Sequence, residues 1–293
     1  MSSQAESEAE RDISSLPEIL VEGTVRRALE EDLGQGGDIT TRSVVAPTAV
    51  AKAEIVAKDT GILAGAEVAT LAFTLVDPDL TVRFLARVGS TVRRGDVVAA
   101  VEGAARSILT AERTALNFLA HLSGVATATS RLVQAVKGTG ARICCTRKTT
   151  PGLRALEKYA VRAGGGVNHR LGLDGAILIK DNHITVAGGI AEALAAAQAS
   201  AGPLTPVEIE VDTLAQLDEA LAGVAAVILL DNMAPSVLRE AVEKVDGRAR
   251  LEASGHVTVD TVRDIAETGV DYISSGWITH SAPALDFGLD FSG

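Results

Sequence analysis

Aromatic residues are scarce, 3% of 293 positions, with one tryptophan. The core must therefore come from Ala, Val, Leu and Ile, a mixture that suits parallel sheet covered by alanine-rich helices. Only two cysteines occur, Cys144 and Cys145, side by side in an apolar run. Adjacent cysteines make a strained disulfide and lack metal-ligand spacing, so both read as buried thiols of a reducing compartment. No apolar run approaches the roughly 18 residues of a spanning helix. The start, MSSQAESEAERD, has no signal-peptide core, and the expected location is cytoplasmic. Positive charge is short overall: the net charge of −11 argues against nucleic acid or an anionic membrane as the main partner. There is no P-loop, no GxGxxG turn after a first strand and no Ser-His-Asp arrangement, which weakens nucleotide-fold and acyl-enzyme readings.

What the chain has is a change of pattern along its length. Residues 1–15 read as a disordered tail. Leu20, Val21, Val25, Ala28, Leu29 and Leu33 recur at helical spacing before Gly34. From there to about residue 105, alternating runs such as AKAEIVAK and TVRFLARV read as short strands of a small mixed domain. A long helix is expected from Glu112. Strands are then expected at 141–146, 175–179, 206–211, 225–230, 249–253 and 270–274, with helices at 188–200, 214–221, 235–245 and 259–268. Such alternation implies parallel sheet, as a barrel or a doubly wound sheet.

The strand ends favour the barrel. Arg147-Lys148, Lys180-Asp181, Asp212, Asp231-Asn232, Ser254-Gly255 and Ser275-Gly276 each follow an apolar run. In a barrel these ends converge on one mouth. Between 141 and 183 eight lysines and arginines face three acids, inside an acidic chain. Concentrated cation of this kind points to an anionic ligand. A helix framed by Pro151 and Gly164 places Arg154, Lys158 and Arg162 on one face, and for Lys158 and Arg162 a solvated stripe is the expectation. His169 and Arg170, after Gly164–Gly166, lean toward ligand binding. In PVEIEVD, alternation puts Glu208, Glu210 and Asp212 on one side of a strand. Glu210 and Asp231 fit Mg²⁺ held with substrate phosphates, whereas a structural ion-pair network accounts equally well for Glu208 and Asp212. Ser254-Gly255-His256 and Ser275-Gly276-Trp277 read as phosphate-holding turns ahead of helices.

The stretches EDLGQGGDITT (31–41), ERTALNFLAHLSGVAT (112–127), TRKTTPGLRALEKYAVRAGGGVNHRLGL (146–173), LIKDNH (178–183), VEIEVDTL (207–214), ILLDN (228–232), EASG (252–255) and GVDYISSG (269–276) resemble the quinolinate phosphoribosyltransferase family. The resemblance spans nearly the whole chain beyond the tail. It implies an N-terminal α/β sandwich domain over 16–111, joined to an incomplete α/β barrel of about seven strands over 112–282. Residues 283–293 would pack back on the first domain. It implies Mg²⁺-dependent transfer of phosphoribosyl from phosphoribosyl pyrophosphate to quinolinate with decarboxylation, in a homodimer or an assembly of dimers.

Carried to matching positions, Thr146, Arg147, His169, Arg170 and Lys180 surround the quinolinate carboxylates, and Arg113 reaches in from a partner subunit. Lys148 faces the phosphoribosyl donor, and Glu210 and Asp231 manage its ribose hydroxyls and the metal. Ser254, Gly255, His256, Ser275, Gly276 and Trp277 hold the 5-phosphate with His280 nearby. The chain departs from the family pattern at His256 and Trp277. Two rivals stand beside this: a Schiff-base barrel lyase using Lys148 or Lys180, and a non-catalytic homologue of the type associated with molybdate transport.

Overall fold

The computed structural model describes residues 16–291; the tail expected over 1–15 lies outside them. The chain divides into two compact units, one running up to Thr127 and resuming at Pro283, the other covering Ala128–Ala282.

Unit 1 begins with helix α1 (Glu18–Leu33), which buries Val21, Val25 and Leu29. Their four-residue spacing is the apolar stripe expected there. Helix α2 (Ile39–Val44) starts where the Asp38 carboxylate accepts the Thr41 N–H at 2.8 Å, a capping bond that satisfies an otherwise orphaned donor. There follow β1 (Val50–Ala57), β2 (Gly61–Ile62), α3 (Ala66–Val76), β3 (Thr81–Phe84), β4 (Thr91–Val92) and β5 (Val97–Ala104). Helix α3 stands where only short strands were expected. Its sequence AEVATLAFTLV is apolar nearly all round and buries six residues, so no polar face exists to reveal its period. Helix α4 (Ala105–Ala135) then starts earlier than Glu112. The expected domain boundary at 111/112 falls inside this helix, whereas the compact units part after Thr127.

Unit 2 alternates strand and helix: β6 (Arg142–Cys144), α5 (Arg154–Ala163), β7 (Ile177–Ile179), α6 (Asp181–Ala187), α7 (Ile190–Ser200), β8 (Val207–Val211), α8 (Leu214–Ala222), β9 (Val227–Asp231), α9 (Pro235–Val245), β10 (Arg250–Ser254), α10 (Val262–Ala266), β11 (Tyr272–Ser274) and α11 (Trp277–His280). The last strand, β12 (Phe287–Phe291), pairs antiparallel with β1 in unit 1. The unit 1 sheet runs β12-β1-β5-β3, beside a two-stranded β2-β4 pair.

The unit 2 sheet is parallel throughout, in the order β6-β11-β10-β9-β8-β7. Its central strands are buried through their middles, as in the VILLD run of β9, because helices cover parallel sheets. On the free side of β6 a single parallel bridge joins Cys144 and Val167. That bridge takes the place of a seventh strand: six strands are formed among the described residues, and one rung marks the next. This is the incomplete α/β barrel that the alternation implied. The register sets Cys144, Ser274, Ser254 and Asp231 in one row, so the residues beyond them line a common edge.

Candidate active site

At the β6 end of that edge, the Val167 rung lays residues 167–170 alongside the β6 exit. Val167 N–H donates to Ile143 O at 2.8 Å, and Cys145 N–H to Val167 O at 3.2 Å. Arg147 and Arg170 are thereby brought together. Burial first, and then the Arg147 charge, push Arg170 below its ordinary value, while Glu208 opposes both. Arg170 Nη1 donates to Ala176 O at 2.8 Å. The Nε atoms of both Arg147 and Arg170, however, are buried with no hydrogen-bond partner. Two like-charged guanidiniums with unmet buried donors cost free energy unless an anion arrives between them.

Behind them lies a carboxylate-imidazole cluster. His169 Nε2 meets Glu208 Oε2 at 2.8 Å and Glu252 Oε2 at 3.9 Å. The three side chains are 14%, 9% and 6% exposed. His169 Nδ1 accepts the Arg170 N–H at 2.8 Å. The hydrogen bond to Glu208 raises the His169 pKa, with burial against it. A second ring proton would break the Arg170 contact, so the form that satisfies both bonds is the neutral ring protonated on Nε2. Both ring nitrogens are thus committed within the protein, and His169 sets the Arg170 backbone. Burial, and next the Glu208 charge, push Glu252 up to about 7. One ligand atom from each of the three lies within 4.8 Å of the others, a spacing that would admit a metal. The cationic neighbours Lys158 and Arg170 already act on this cluster and supply the compensation a metal would bring.

On β8 the alternation holds as expected: Glu208 and Glu210 face inward, and Lys180, at the end of β7, donates to Glu210 Oε2. Asp212 is exposed, and its N–H is taken by Gln216 Oε1 at 2.7 Å. At the end of β9, Asn232 Nδ2 donates to Asp231 Oδ2 at 2.6 Å. Asn232 has φ 55° and His256 has φ 49°, left-handed backbone that ordinary residues rarely adopt and that concentrates at functional sites. Gly255 packs against Asn232, where a Cβ would collide with the asparagine side chain and backbone.

The last strand end closes on the first. A Cβ on Gly276 would lie 2.9 Å from Lys148 Cδ and 3.2 Å from Thr146 Oγ1, so only glycine lets β11 approach the TRK segment so closely. Lys148 N–H donates to Thr146 Oγ1 at 3.0 Å, and Thr279 Oγ1 donates to Lys148 O at 2.7 Å. Ser275 N–H is spent on Cys144 O at 3.0 Å. The Ser254–His256 turn differs from expectation. Helix α10 begins only at Val262 rather than near 259, so no helix dipole stands directly behind it, whereas α11 starts at Trp277 itself. His280 is exposed, with Nδ1 on Ser281 Oγ at 2.6 Å. Arg113 belongs to unit 1, on α4, with its side chain 63% exposed and Glu112 3.8 Å away.

One expectation fails outright. Lys158 is not part of a solvated stripe: it is 2% exposed, because the face of α5 opposite Leu156 and Tyr159 packs on the β6 exit instead of water. Its Nζ donates to Cys145 Sγ at 3.0 Å and to His169 O at 2.9 Å. Lys158 and Glu252 are the residues that sequence reasoning missed. Glu252 carried a signal, since it shares the inward parity of Ser254 on β10. Cys144 and Cys145 are free and buried, as expected.

Together, the incomplete barrel and the convergent cations at its strand ends define an enzyme of the kind that holds a small polyanion in the barrel mouth. Family models for the quinolinate phosphoribosyl transferase N-terminal and C-terminal domains match residues 38–123 and 125–290. The chain belongs to the quinolinate phosphoribosyltransferase family. It is 48% identical over 272 residues to the nicotinate-nucleotide pyrophosphorylase [carboxylating] of Mycobacterium leprae, covering 91% of this chain and 95% of that protein. A probable counterpart from Bacillus subtilis is 44% identical, with 89% of each covered. The solved nicotinate-nucleotide pyrophosphorylase of Francisella tularensis superposes with a TM-score of 0.91 at 39% identity, covering 96% of this chain and 99% of that one. Neither the lyase nor the molybdate-type alternative finds support in these matches.

Proposed function

We propose that the barrel mouth of unit 2 transfers the 5-phosphoribosyl group of phosphoribosyl pyrophosphate to the ring nitrogen of quinolinate, releasing pyrophosphate and CO₂ and leaving nicotinate mononucleotide. The observation that carries this is the pair of unpartnered, buried Nε donors on Arg147 and Arg170. A pyridine dicarboxylate offers two planar anionic groups to two planar guanidinium forks. Thr146 and Lys180 flank that acceptor position. His169 supports it by fixing the Arg170 backbone.

On the donor side, Lys148 faces the pyrophosphate, and Glu210 and Asp231 stand where the ribose would lie. As the ring nitrogen attacks the anomeric carbon and pyrophosphate departs, positive charge gathers on the sugar, and carboxylates nearby stabilise it. The resulting pyridinium accepts the electron pair from the adjacent carboxylate as CO₂ leaves, so no protein nucleophile is needed. Mg²⁺ fits the donor set, two oxygen-ligand carboxylates at adjacent strand ends; when bound it would neutralise the donor's pyrophosphate. Lys180 takes one oxygen of Glu210 and Asn232 one of Asp231, which leaves the other oxygens to metal-bound water or ribose hydroxyls. The turns at Ser254, Gly255, His256 and at Gly276, Trp277 would hold the 5-phosphate, with His280 beyond them.

The exposed Arg113 side chain supports a homodimer in which this residue completes a partner's acceptor pocket. Two free thiols, and no helix among the described residues long and apolar enough to cross a membrane, support a cytoplasmic enzyme. The test is turnover: quinolinate, phosphoribosyl pyrophosphate and Mg²⁺ should yield nicotinate mononucleotide. Nicotinate in place of quinolinate should yield none, and equal use of both would overturn the proposal.

A further inference from the structure

Lys158 is the one lysine buried outright among the described residues. Its two partners lie on different segments, each one residue ahead of site residues. Cys145 precedes Thr146 and Arg147, and His169 precedes Arg170. The backbone ladder that aligns these segments ends at the Val167 rung. Past it, no backbone hydrogen bond joins 146–148 to 168–170 among the described residues. What bridges the gap is Lys158, helped by the contact of Cys145 Sγ with Asn168 Oδ1 at 3.3 Å. Just beyond stand two guanidiniums that repel each other. Mutual repulsion at the free ends of two unlinked segments drives them apart.

We propose, resting on the acceptor assignment above, that Lys158 is a positioning residue: its ammonium clasps Cys145 to the His169 carbonyl and so holds Arg147 and Arg170 at the spacing of one dicarboxylate. The sulfur is a suitable counter-charge. The Cys144 thiol, and then the charge of Lys158, pull Cys145 down to about 6 against its burial, while Cys144 is pushed up. A buried ammonium beside a thiolate is a paired charge rather than an isolated one. With sulfur as acceptor, the Asn168 amide turns its nitrogen inward, an exchange of N and O that leaves its shape unchanged.

The experiment compares wild type with Lys158→Met and Cys145→Ala by steady-state kinetics and by hydrogen exchange of the Arg170 amide. In Lys158→Met the KM for quinolinate should rise about tenfold to a hundredfold, the scale of a displaced binding group. The kcat and the KM for phosphoribosyl pyrophosphate should move little, as befits lost acceptor binding. Arg170 amide exchange should quicken. Cys145→Ala should show the same pattern more weakly. A lowered unfolding temperature with unchanged quinolinate KM and unchanged Arg170 exchange would make Lys158 a core lysine only and overturn the proposal. Should Lys158→Met fail to fold, Cys145→Ala decides by the same two readouts. If wild type does not turn over quinolinate at all, the functional assignment fails separately. Arg170 exchange still judges the clasp, faster exchange supporting it and unchanged exchange overturning it.

Discussion

Among the described residues, unit 1 buries three polar side chains, Thr41, Thr114 and Ser123, and none of them ionises; unit 2 buries Glu157, Lys158, Glu208 and Glu252. The contrast separates scaffold from site. In unit 1 the ion pairs stay in water, as with Lys52 and Glu102, whose side chains are 70% and 56% exposed. Removing charges from water is costly, and a fold that does so four times in one unit has arranged partners for them. Glu157 takes the Thr150 N–H at 3.1 Å and Lys158 holds two acceptors. Glu208 and Glu252 share His169. The unit that accepts desolvation is the unit that meets the substrate.

The strongest way to break the contrast is to remove a buried charge. Lys158→Met should cost about 3 to 5 kcal/mol of unfolding free energy, the range for breaking a buried pair by deleting one partner, measured by denaturant titration. A loss near zero would mean that the lysine is solvated in solution.

Next in size is a pH effect. Burial, and then Glu208, raise Glu252 from its ordinary 4.5 to about 7. The folded protein therefore keeps a proton that the unfolded chain gives up between those values. This contribution to stability is fully present below the lower value and is lost as pH rises through the upper one, on the order of 3 kcal/mol in all. Glu252→Gln should remove that share of the slope, read from unfolding free energies at pH values spanning the window. An unaltered slope would place the proton elsewhere.

Arg170→Ala tests the ligand side of the same unit. It should weaken quinolinate binding by roughly 1.5 to 3 kcal/mol, the scale of a charge-assisted hydrogen bond, as followed by calorimetry. Unchanged affinity would remove Arg170 from the pocket. The smallest effect belongs to unit 1. Lys52→Met should change stability by less than about 1 kcal/mol, and a larger loss would erase the contrast between the units.

Much of this was legible from the letters. Period-two alternation in PVEIEVD placed Glu208 and Glu210 inward, and the polar pairs after apolar runs marked the mouth of the barrel. What escaped was information held only in the third dimension. The spacing of Arg154, Lys158 and Arg162 states that they share a helix face, but whether that face meets water depends on what packs across it. Helix α3 was hidden for a related reason, since a helix apolar on every side has no period to find. The seventh strand shrank to one rung at Val167, and a single rung has no sequence pattern. That rung nonetheless sets His169 and Arg170 beside the TRK segment, so the least legible element positions the most telling residues.

The central claim is that the two unpartnered guanidinium nitrogens await a dicarboxylate. A crystal structure with quinolinate bound tests it most directly. Carboxylate oxygens should lie within hydrogen-bond distance of Nε on both Arg147 and Arg170. Quinolinate seated elsewhere, with both nitrogens still unmet, would contradict it.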